Sequence, residues 1–123
     1  MNFSSALADY GTETYLLTVS EAGPHTSYVE VRLQADKLHC WLSRSAAANV
    51  EINRNVSLLW PPSEPGGYSI IVNGVVDVQE IDGQPHGVIS VSKSVFHRPG
   101  LRSEGVEGVC PADCIPLVFA QAG

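Results

Sequence analysis

Apolar and polar positions alternate with a period of two over most of the chain. The clearest case is residues 25–33, HTSYVEVRL, where Tyr28, Glu30 and Arg32 share one face and Val29, Val31 and Leu33 the other. That is the pattern of a half-buried strand. Residues 14–20, TYLLTVS, are rich in β-formers. Residues 37–43, KLHCWLS, set Leu38, Cys40 and Leu42 on one face. Further strands are expected over 55–62, closed by two prolines, over 68–81 and over 86–99. Turn-forming residues separate these runs: EAGP at 21–24, QAD at 34–36, SEPGG at 63–67 and DGQP at 82–85. Gly74, inside the run 68–81, marks a bulge, a bend or a close backbone approach.

The period changes twice. Residues 3–9, FSSALAD, read as a short helix that stops at Tyr10-Gly11. Residues 45–53, SAAANVEIN, are strong helix formers with Ser45 as the expected N-cap. From residue 101 onward the chain is rich in Gly and Pro, and it is expected to wrap the body irregularly. Six strands with one short helix between the third and fourth predict a mainly β fold, a small β-barrel. One domain is expected over 1–123, with the barrel at about 14–100 and an irregular extension over 101–123. So small a barrel has a limited core, so Trp60 and Phe96 are expected at the surface, covered by a second subunit.

Composition narrows the partners. Of 123 residues 44% are hydrophobic and 16% charged, enough for a packed core, and the net charge is −6. An acidic chain is a poor match for nucleic acid or an anionic membrane, both of which need a basic face. It leaves a local site for a small phosphate ligand open. No stretch approaches the roughly 18 apolar residues of a membrane span. The start MNFSSALADYGTE has neither the basic nor the apolar segment of a signal peptide, so a cytoplasmic protein is expected.

Three cysteines, one of them Cys40 in an apolar run, suggest reduced and buried thiols rather than a disulfide framework. Cys110 and Cys114 stand with three residues between them and no second ligand pair near them. They read as thiols on a loop or an incidental disulfide, not a metal site. His25, His39, His86 and His97 scatter over strand starts and ends with no metal-ligand spacing, so no metal is expected.

The stretch HCWLSRSAAANVEINRN, residues 39–55, carries the most suggestive chemistry. A helix start offers free backbone N–H groups and partial positive charge, which favour phosphate. Ser43 and Ser45 add hydroxyls there, and Arg44 adds a fork of charged donors. The same residues also suit a plain capped helix, with Arg44 paired to Glu51 or Glu30. Both readings stand on the residues alone. No Ser nucleophile motif and no placed carboxylate pair is present.

The order of these elements resembles the FMN-binding split barrel of the pyridoxamine 5′-phosphate oxidase-like family. YLLTVSEAGPHTSYVEV resembles its opening hairpin, and KLHCWLSRSAAANVEINRNVSLLW its third strand, phosphate corner, short helix and fourth strand. GGYSIIVNGVVDV, with Val72, Gly74 and Val76, resembles its fifth strand, and SKSVFHRPG its last. The resemblance covers about residues 14–100. It implies a homodimer with flavin sites shared between the chains. Its implied contacts to FMN or a deazaflavin are Ser27 and Val29 on the second strand, Ser43, Arg44, Ser45 and Asn49 at the corner, and Trp60 or Trp41 as a flat wall. One departure is visible: flavin-binding members carry Lys or Arg near positions 46–47, where this chain has Ala46, Ala47 and Ala48.

Two functions follow. One is a flavin- or deazaflavin-dependent oxidoreductase acting on a small molecule. The other is a non-catalytic split-barrel homodimer that has lost tight flavin binding and serves as a ligand-binding or interaction module. Haem binding is a third option, since some split-barrel relatives handle haem.

Overall fold

A computed structural model of the chain describes residues 2–99 and 112–117. The elements run α1 (Phe3–Tyr10), β1 (Glu13–Ser20), β2 (Gly23–Gln34), β3 (Lys37–Trp41), α2 (Arg44–Ile52), β4 (Asn55–Trp60), β5 (Ser69–Ile81), β6 (Gln84–Pro99) and β7 (Ala112–Pro116). The strands form one antiparallel sheet in the order β3-β2-β1-β4-β5-β6-β7, and β3 also pairs with β6. That last pairing bends the sheet into a ring. The split barrel expected from the sequence is therefore the fold observed.

Local chemistry explains the connections. Asp82 and Gly83 both have positive φ, 53° and 74°, between the paired Ile81 and Gln84. Two such residues in a row make the hairpin turn whose twist matches a twisted sheet. Along this hairpin Asn73 faces Lys93 but Gly74 faces Val91, so Ser92 is an extra residue and β6 bulges. Gly74 permits the close approach: a Cβ there would lie 2.6 Å from the Ser90 carbonyl oxygen. Before the bulge, the free edge of β6 pairs with β3 through His86–Ile89; after it, the same edge pairs with β7 through Val95–Pro99.

The inward faces of the strands form the core, with Leu16, Val31, Leu38, Leu58, Ile70, Val72, Val76 and Ile89 all nearly inaccessible. A helix covers each end. Asn2 caps α1 by accepting from the Ser5 N–H at 2.9 Å, and Phe3 and Ala6 are buried beneath it. The Phe3 ring meets Trp60 edge-on at 5.6 Å. The Trp60 indole N–H donates to the Gly11 carbonyl at 3.0 Å, and the Tyr10 hydroxyl to the Tyr68 carbonyl at 2.7 Å. At the other end α2 buries Ala46 and Val50, and the Asn49 side-chain amide donates to the Thr18 hydroxyl at 3.0 Å.

The predicted strands and helices appear with ends within two residues of expectation. Three expectations are corrected. Trp60 is 1% exposed, so its own chain, with Phe3 of α1 against the ring, covers it; Phe96 is only partly exposed, its ring 6.2 Å from that of Tyr10. Residues 112–116 are not irregular but form β7, whose backbone pairs along the edge of β6 that β3 leaves free. The helix after β3 begins at Arg44 with Ser43, not Ser45, as its cap. The rest of the expected extension, including Cys110, lies outside the described residues. Among the described residues no helix is long and apolar enough to cross a membrane.

Candidate functional site

The corner between β3 and α2 follows from one side chain. Ser43 is extended, and its hydroxyl accepts from the Ala46 N–H at 3.1 Å, while its carbonyl takes the Ala47 N–H at 2.9 Å. The N–H groups of Arg44 and Ser45 keep no partner among the described residues, and both side chains are exposed. A phosphate at this helix start would meet two N–H donors, the Ser45 hydroxyl and the Arg44 guanidinium. Of the two positions where a basic residue was missed, Ala46 is fully buried and Ala47 is partly exposed on the hollow beside the corner. Beside the corner, Arg44, Ala47, Ala48 and Glu51 face Val78, Glu80, Gly83 and Pro85 across a hollow of about 760 Å³. One cation and two carboxylates line it, which works against a phosphate. Arg44 makes no ion pair with Glu51 or Glu30; Arg54 with Asp77 is the one ion pair among the described residues.

A second hollow, of about 460 Å³, lies on the outward face of β2, β3 and β6 and is lined by Glu30, Arg32, His39, Cys40, Trp41 and His86. Strand alternation puts Glu30 and Arg32 outward beside His39 and Trp41, because Arg32 pairs with His39 in register. Trp41 pairs with His86, and their rings meet edge-on at 5.0 Å. Trp41 is 51% exposed, a flat apolar wall. His39 Nδ1 lies 3.2 Å from His86 Nε2. His86 is 4% exposed, and its Nδ1 has no hydrogen-bond partner. Burial, then the nearby His39 and Arg32, hold its pKa below the usual 6.5. Burial pushes the Cys40 thiol up to about 11, so it stays protonated.

The residues singled out from the sequence do not converge on one place. Ser43, Arg44 and Ser45 share the corner. Asn49 is spent on Thr18. Ser27 and Val29 pair with Leu16 and Thr14, both buried, so their side chains point into the barrel. The Ser27 hydroxyl and His25 Nδ1 are buried there without partners. Trp60 is a core residue, its indole N–H already used, and Trp41 is the exposed wall. The histidines are not all scattered: ring closure brings His39 and His86 together, 47 residues apart in sequence. The usable signal for them was strand parity, since His39 alternates with Leu38 and Cys40 and must face outward.

No family model and no curated protein matches the chain. Solved structures do match. A Clostridium acetobutylicum protein related to general stress protein 26, of the pyridoxinephosphate oxidase family, aligns with TM-score 0.61 at 12% identity over 76% of this chain and 84% of its own. The fold is the pyridoxamine 5′-phosphate oxidase-like split barrel. An F420 reductase aligns with TM-score 0.59 at 15% identity over 73% of this chain and 94% of its own. The FAD-binding protein of Mycobacterium smegmatis aligns with TM-score 0.56 at 13% identity over 76% and 91%. Identities this low speak for the split barrel and leave the ligand to be argued from this chain's own residues.

Proposed function

We propose that this split barrel binds FMN or a deazaflavin at the outward face of β2 and β3 and works as a flavin- or deazaflavin-dependent oxidoreductase on a small molecule. The supporting observation is continuity. The half-exposed Trp41 indole sits two residues before Ser43, at the start of the helix whose Arg44 and Ser45 N–H groups have no partner among the described residues. A planar ring with a phosphate tail needs such a wall and such a corner in sequence. Arg44, Ser45 and the helix N–H groups would hold the phosphate, and Trp41 would orient the ring and keep water from one side. The bound cofactor supplies the redox chemistry.

The same reading includes a homodimer. Tyr15, Val19 and Val75 are all more than a third exposed on the outward face of β1 and β5, and the Tyr15 and Tyr28 rings meet at a tilt, 4.9 Å between centroids. A second reading is the non-catalytic homodimer. It is favoured by Glu51 and Glu80, which oppose a phosphate beside Arg44.

Titration of the purified protein with FMN, a deazaflavin and haem separates the readings. Flavin binding that weakens about tenfold in Arg44→Ala supports the first, one charge-assisted contact being worth about 1.5–3 kcal/mol. A protein with no affinity for either flavin sinks it.

A further inference from the structure

We propose that the hollow between β2, β3 and β6 binds a small planar aromatic carboxylate and takes up one proton as it does so. The hollow has a wall, a cation and a proton acceptor. Trp41 supplies the wall, and the volume of about 460 Å³ lies within the usual range of small-molecule sites, roughly 300–1,000 Å³. Arg32 is the cation. Among the described residues its guanidinium makes no hydrogen bond or ion pair, although Glu30 lies two positions away on the same face. A planar fork without a partner, beside an exposed indole, matches a carboxylate on an aromatic ring.

The proton follows from the charges. Arg32 and Glu30 cancel. Lys37, at the start of β3, reaches across to the Ser90 hydroxyl on β6 at 2.8 Å, and Asp77 on β5 is paired with Arg54. The Cys40 thiol is neutral. With both imidazoles neutral the hollow has no net charge to offer an anion. One more proton on the His39–His86 pair changes that. The neutral pair has one N–H between two nitrogens, and His86 keeps a buried Nδ1 without a partner. A carboxylate on Arg32 cancels the field that opposes protonation, so the anion and the proton each favour the other. No bond is made or broken beyond the N–H formed with a proton from solvent.

This inference does not depend on the flavin reading; both ligands would use the Trp41 wall, so each excludes the other from it. The purified full chain, without added flavin, is titrated calorimetrically with benzoate and with the neutral benzamide between about pH 5.5 and 8, the range in which histidine changes charge. Repeating the titration in two buffers of different ionisation enthalpy counts protons. Benzoate affinity is expected to rise up to about tenfold per unit fall in pH, the limit for one linked proton, while benzamide stays weak at every pH. Arg32→Gln should cost at least about tenfold, Glu30→Gln should tighten binding and extend it to higher pH, and His39→Gln should flatten the pH dependence. These three side chains are not in the core, and melting curves confirm that each variant is folded. Benzoate binding without proton uptake, equal affinity for benzamide, or no benzoate binding near pH 5.5 overturns the proposal.

Discussion

The two ends of the barrel are built to different standards. At the α1 end the polar groups drawn into the core have partners among the described residues: the Trp60 indole N–H has the Gly11 carbonyl, the Tyr10 hydroxyl the Tyr68 carbonyl, and the Thr14 hydroxyl the Leu59 carbonyl at 2.8 Å. Toward the α2 end and the β3–β6 seam, His25 Nδ1, the Ser27 hydroxyl and His86 Nδ1 are buried without one. Unpaired buried groups cost about 1–3 kcal/mol each in a finished core. The difference teaches which half supports the fold and which half is left for chemistry. The two tryptophans mark it, one sealed and one half open.

The largest test of that contrast is Trp60→Ala. It should cost about 3–5 kcal/mol, read from the urea midpoint, with the loss of an aromatic contact and a hydrogen bond together. If Trp41→Ala destabilised the protein as much, the division into a supporting and an open half would fail. Next in size is Ala48→Lys, which places an exposed cation on the hollow that Glu51 and Glu80 now make acidic. FMN affinity should rise about tenfold or more, since 1.4 kcal/mol is tenfold and a charge-assisted contact exceeds it. An unchanged affinity would move the phosphate away from the corner.

Trp41→Ala comes third. Flavin affinity should fall about tenfold while stability shifts by no more than about 0.5 kcal/mol, as for other exposed positions. The smallest effect is on pH dependence. The folded pKa of His86 lies below the unfolded 6.5, so between the two values the unfolded chain holds a proton that the folded chain lacks. Stability conferred by the neutral form is complete above 6.5 and is lost as pH falls through that window. Denaturation midpoints should decline from pH 7 to pH 5 by less than the Trp60→Ala loss, and His86→Gln should flatten the decline; a parallel decline in the variant would assign it elsewhere.

Much of the scaffold was legible in the sequence because alternation and turn chemistry act over a few residues. Val29, Val31 and Leu33 face the core as their spacing requires, and Asp82-Gly83 turns as its residue types require. Parity alone names two faces without assigning a ligand to either; Ser27 and Val29, singled out by resemblance, share the inward one with Val31. Ser43 and Ser45 are equal as caps in composition; the strand end at Trp41 decides between them. Trp60 looked surface-bound because α1, which covers it, lies some fifty residues earlier in the chain. β7 was missed because its pairing depends on an edge that exists only once β6 has bulged. The His39–His86 pair was invisible for the same reason: it is a product of ring closure.

That closure has a kinetic meaning. The β5–β6 hairpin joins neighbours across a two-residue turn, whereas β3 must find β6 across a separation of 47 residues at His39 and His86. Pairings that enclose long loops form late, so the β3–β6 seam is expected to be the last part of the ring to zip. Trp41 stands on that seam with its indole against His86. Its fluorescence is therefore a stopwatch for the final step of folding, in a molecule whose other tryptophan reports on the opposite end.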